Sequence, residues 1–143
     1  MSLLTIQTHL QFKKICQMII GVDPTIRFVG IVNNNGRLIT GSSRKNIELQ
    51  VPKNECEMLY MEAVLEMRMH REFDHCLGQV DFEISHRNNF IITKIPFLEN
   101  LVYISAEKDY DFAKTPFLIN QILKIEKSKF GNSLAHMDND FKN

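Results

Sequence analysis

The chain has 143 residues, enough for one domain that buries roughly 70% of its unfolded surface. Apolar residues make up 44% and charged residues 24%, the balance of a soluble globular protein. Seventeen basic residues offset seventeen acidic ones, so no global field is available to hold a nucleic acid or an anionic membrane, and neither is expected as a partner. No apolar run approaches the ~20 residues that span a bilayer, which predicts no membrane insertion, and the start "MSLLTIQTHLQFKK" lacks the basic and long apolar regions of a secretory signal. Cys16, Cys56 and Cys76 are widely spaced without a CxxC and fit a reducing cytoplasm.

A first helix is expected from Thr5 or Thr8 to Gly21. Thr8 and Gln11 have capping-box spacing, Phe12, Ile15, Cys16 and Ile19 form one apolar stripe, and Gly21 can take the left-handed conformation that closes a helix. "IRFVGIV" (26–32) is apolar on both faces, as a central strand is, and Gly30 marks a close approach or a bulge. "NNNG", with Asn35-Gly36 as turn centre, leads into "RLIT" as a β-hairpin. The stretch "GRLITGSS" (36–43) spaces two glycines as a phosphate-binding loop does. Ser42 stands where that loop needs a lysine, and strand formers fill the interval, so the stretch is read as the second hairpin strand.

The second helix is expected from Asn54, with Glu57 as its capping-box partner, and Pro52 delays its start. It carries two apolar stripes at 3.6-residue spacing. Cys56, Tyr60, Ala63, Val64 and Met67 gather on one side; Met58, Met61, Leu65 and Met69 gather on another. A helix on the outside of a two-layer domain needs only one stripe, so the second must pack on another helix or another molecule. "QVDFEIS" (79–85) then alternates, with Val80, Phe82 and Ile84 pointing one way, as a half-solvated strand does. "FIITKI" (90–95), ended by Pro96, and "LVYISA" (101–106) complete five strands, and Thr115-Pro116 opens a last helix that runs to about Lys127. The order α-β-β-α-β-β-β-α predicts an α+β sandwich with a mainly antiparallel five-stranded sheet, one domain over residues 1–127 and a flexible tail over 128–143.

Chemistry-bearing clusters are few. "MHREFDHC" offers His70, Asp74, His75 and Cys76, but a closed structural zinc site needs a second paired cluster that the chain lacks, so no metal is expected. Arg27, Arg44, Lys45, Arg68 and Arg71 are the candidates for an anion-binding rim. No GxSxG or activated cysteine is present, and no catalytic residue or cofactor is assigned.

The element order, with its long helix between the second and third strands, resembles the roadblock and profilin-like group. Three segments, "DPTIRFVGIVNNNGRLITG", "EMLYMEAVLEMRMHREFDHCLGQVDF" and "ENLVYISAE", resemble a family of small proteins from ammonia-oxidising archaea. That resemblance implies a roadblock-like fold in an archaeal cytoplasm. The roadblock likeness implies pairing through the second helix and third strand, and the surplus stripe (Met58, Met61, Leu65, Met69, or else the Cys56, Tyr60, Met67 side) with Val80, Phe82 and Ile84 gives the expected homodimer interface, with a further protein partner such as a small GTPase. The reading is therefore a non-enzymatic scaffold or regulatory module. The alternative is a small-ligand sensor of the PAS or GAF kind, whose mark would be an enclosed cavity above ~300 Å³ with convergent polar groups.

Overall fold

The computed structural model describes residues 3–44 and 53–141. In chain order it contains α1 (Leu3–Ile20), β1 (Ile26–Val32), β2 (Leu38–Ser43), α2 (Lys53–Arg71), α3 (Asp74–Leu77), β3 (Glu83–His86), β4 (Ile91–Phe97), β5 (Asn100–Ala106) and α4 (Thr115–Phe141). The strands form one antiparallel sheet in the order β2-β1-β5-β4-β3. The expected α+β sandwich is found, with the short α3 as an addition.

The sheet is buried on both faces, which is why β1, β4 and β5 read as nearly continuous apolar runs. Phe12, Ile15 and Ile19 of α1 and Ile119 and Leu123 of α4 pack with Ile31, Ile95 and Val102 on one face. On the other face, among the described residues, α2 supplies the main cover: Ala63, Val64 and Met67 meet Val32, Ile92, Leu101 and Tyr103. Among the described residues no helix is long and apolar enough to cross a membrane.

The β1–β2 hairpin settles the role of its glycines. Gly36 turns at φ 77°, and the Asn33 side chain accepts hydrogen bonds from the Asn35 and Arg37 amides. Gly30 and Gly41 stand opposite each other in the ladder, and the Phe28 ring lies over both. A Cβ on Gly30 would meet Phe28 Cζ and Leu38 Cδ1 at 2.7 Å. These glycines make room for an aromatic ring, not for a phosphate.

Several boundaries differ from the sequence reading, each for a tertiary reason. Helix α1 already runs from Leu3, so Thr8 lies inside it, and the Gln11 amide donates to Glu126 Oε2 of α4 at 2.8 Å instead of capping. Gly21 does not take positive φ. The Arg44 guanidinium instead donates to the Ile20, Asp23 and Ile26 carbonyls around the α1–β1 turn. Strand β3 begins at Glu83 rather than Gln79. A longer ladder would place Asp81 opposite Pro96, which has no N–H to give. For the same reason β4 can run through Pro96, where β3 no longer flanks it. Helix α4 continues past Lys127 to Phe141, and Phe130 packs on Phe12 and Phe97 with ring centroids 5.4 and 6.3 Å away.

Because the Phe28 ring occupies the space above Gly30, Gly30→Ala should lower the unfolding free energy by about 1–3 kcal/mol. Urea denaturation followed by circular dichroism measures it. An unchanged midpoint would show that the ring yields without cost.

Candidate interaction surface

Helix α2 forms because long, flexible side chains dominate it, and its two stripes meet different fates. The first stripe turns to the sheet: Ala63, Val64 and Met67 are buried, and Tyr60 stacks edge-on against Tyr103 with centroids 5.3 Å apart. Burial pushes both phenols up to about 12, so they stay neutral. The second stripe faces outward, with Met58 at 72%, Met61 at 41%, Leu65 at 47% and Met69 at 69% exposure. Helices α1 and α4 lie on the opposite face of the sheet, so neither covers it. Phe73 and Leu77, beyond the end of α2, are exposed as well.

At the other end of this layer, among the described residues, β3 is the last strand of the sheet and pairs only with β4. Its free edge carries unpaired backbone donors and acceptors. The expected common face of Val80, Phe82 and Ile84 is not found. Val80 precedes the strand and packs beneath α2, while Phe82 and Ile84 pack on the α1/α4 core, Phe82 edge-on to Phe117 at 4.9 Å. All three are partly buried by their own chain.

A groove of about 960 Å³ runs between the first half of α2 and the sheet, lined by Phe28, Tyr60, Phe90, Tyr103 and Arg87, with Met58, Met61 and Leu65 along its lip. It is open to solvent rather than enclosed. Stripe and groove are thus one continuous surface.

Among the described residues, Arg27, Arg44 and Arg68 serve separate neighbours instead of one rim. Arg27 pairs with Glu107 and lies over the Phe90 ring, 5.0 Å from its centroid. Arg44 is spent on the α1–β1 carbonyls, Arg68 donates to the Asn34 carbonyl at the far end of β1, and Arg71 lies beside Arg68. Lys45 lies outside the described residues.

The polar cluster around His70 also differs from the expected one. His75 and Cys76 are exposed and apart from it; the residues that meet His70 are Glu66, one turn earlier on α2, and Glu83 of β3. Burial, and then the neighbouring Glu66, push the Glu83 carboxyl above the usual range. Burial acts on Glu66 in the same sense, but the hydrogen bond from Glu83 and the Lys94 ammonium outweigh it and hold Glu66 low. Cys16, sealed in the α1 core, is pushed by burial up to about 11, which suits a packing residue.

With the architecture in place, solved structures identify its class. The chain superposes on MglB, a gliding protein of Thermus thermophilus, with a TM-score of 0.69 at 7% identity, over 87% of this chain and 91% of that one. Myxococcus xanthus MglB gives 0.66 at 13% identity, over 88% and 91%, and a roadblock/LC7 domain from Streptomyces avermitilis gives 0.61 at 8%, over 86% and 97%. The fold is of the roadblock type. The chain itself belongs to the family of unknown function DUF6659, whose profile matches residues 6–134. No curated protein matches it.

Since Arg44 holds carbonyls rather than a ligand, Arg44→Met should cost about 1–3 kcal/mol of stability through the acceptors it leaves unpaired. Thermal melts of the two proteins compare this directly. A variant as stable as the parent would return Arg44 to the pool of ligand-binding candidates.

Proposed function

We propose that this chain is a non-enzymatic interaction module, a homodimeric scaffold or regulatory subunit built on the roadblock fold and working in an archaeal cytoplasm. The observation that carries the proposal is the exposed stripe of Met58, Met61, Leu65 and Met69 on a helix whose other stripe already serves the core. Fully burying such side chains is worth up to about 1.5–3 kcal/mol each, and soluble monomers seldom keep contiguous apolar patches of several hundred Å² without a use. An isologous dimer would remove the patch by setting α2 against its own copy. Edge-to-edge pairing of β3 would continue the sheet through backbone hydrogen bonds, while Val80, Phe82 and Ile84 remain packed within their own chain. Methionine suits this role because its unbranched thioether adapts to a partner surface. A further protein, such as a small GTPase, would dock on the paired helices.

The groove favours a second reading, a small-ligand sensor, since about 960 Å³ is ample for a metabolite. It ranks below the first because the groove is open along the very residues that form the stripe, so a second chain on α2 would roof it.

Met61→Glu with Leu65→Glu should convert a dimer into a folded monomer, read by light scattering with circular dichroism as the check on folding. Parent protein that scatters as a monomer at high micromolar concentration would end the homodimer proposal.

A further inference from the structure

Glu66 and His70 share one face of α2 at the i, i+4 spacing, and Glu83 reaches them from the start of β3. His70 Nε2 lies 2.7 Å from Glu83 Oε1 and 3.5 Å from Glu66 Oε1, and each residue offers a ligand atom within 4.8 Å of the other two. Donor atoms around one ion, at bond lengths of about 2.0–2.2 Å, lie about 3–3.5 Å from one another, so the two separations from His70 Nε2 bracket those of a coordination shell, and small side-chain shifts would close the third. Two further observations point the same way. His70 Nε2 and Glu83 Oε2 are both buried atoms without a well-formed hydrogen bond, although Nε2 stands 2.7 Å from Glu83 Oε1. Lys94, directly across the ladder from Glu83, holds the remaining Glu66 oxygen at 3.2 Å. A ligating carboxylate normally has such an outer hydrogen bond, which fixes its orientation.

We propose that Glu66, His70 and Glu83 bind a divalent transition-metal ion of the zinc class. One imidazole nitrogen and two carboxylate oxygens suit zinc, manganese or iron(II), whereas calcium and magnesium prefer shells of oxygen alone. With His70 neutral, the two glutamates and Lys94 sum to one negative charge, so a dication is attracted. Three protein ligands leave positions for water, and His70 also borders a cavity of about 360 Å³ lined by Asp74, Asp81 and Gln79. The ion would tie the last turn of α2 to the edge strand. This inference stands whether or not the protein dimerises.

Protein stripped with a chelator and dialysed is titrated with Zn²⁺ by calorimetry, with Mg²⁺ as control, and its cobalt form is examined by absorption. Expected are one Zn²⁺ per chain at micromolar affinity or tighter, no comparable Mg²⁺ binding, and cobalt d–d bands without a thiolate charge-transfer band. His70→Gln and Glu83→Gln should each weaken zinc about tenfold or more, while a His75→Ser, Cys76→Ser double variant keeps it. Zinc binding no tighter than millimolar, thiolate bands, or affinity lost with Cys76 but kept without His70 would each overturn the proposal.

Discussion

The constraint on which this structure turns is the width of its sheet. Five strands spaced about 4.8 Å apart span about 20 Å between their outer axes, and one helix with its side chains is about 10–12 Å across. On one face α1 and α4 lie together and share the task, locked to each other by Gln11 and Glu126. On the other face, among the described residues, α2 is the one helix, and it covers Val32 and Leu101 but leaves Phe28, Phe90 and part of Tyr103 lining a groove. The groove and the outward apolar stripe are two consequences of one geometric shortfall. A second body set beside α2 would complete the layer, which is why association explains more of this surface than a ligand does.

That shortfall was legible in the sequence because helical periodicity is a local property. The two stripes of α2 can be read from residue spacing alone, and so can the need for something to cover the second. Which stripe meets the sheet depends on sizes: Ala63 and Val64 permit close approach, while Met58, Met61, Leu65 and Met69 stand further out. The hairpin at Asn35-Gly36 and the buried character of β1 are likewise local, and both are found. Where the reading failed, the deciding contact was distant. Pro96 limits β3 across a ladder, Phe130 extends α4 by reaching Phe12, and Arg44 closes the end of α1 from twenty-four residues away.

The same division separates the two clusters of polar residues. Arg27, Arg44, Arg68 and Arg71 looked like a set because they share a charge, yet the first three are each used by a different neighbour. Glu66, His70, Glu83 and Lys94 did not look like a set, since they come from three elements and mix charges. Only the antiparallel register that puts Glu83 opposite Lys94 brings them to one point. Composition can suggest that a site exists, but register decides who belongs to it.

Helix α2 therefore presents three faces from one cylinder. Cys56, Tyr60, Ala63, Val64 and Met67 face the sheet, Met58, Met61, Leu65 and Met69 face outward, and Glu66 with His70 faces the edge strand. Each role takes part of the circumference, so none can be broad, and a narrow apolar strip gains most from side chains that spread along a partner. Methionine and leucine meet that need without the χ1 restriction that β-branched residues suffer in a helix. The polar edge between the two stripes adds direction, since Lys94 of the sheet pairs with Glu66 there and favours the rotation that the packing of Ala63 and Val64 sets. A helix free to roll could bury either stripe. Held at that edge, it presents the methionine stripe outward.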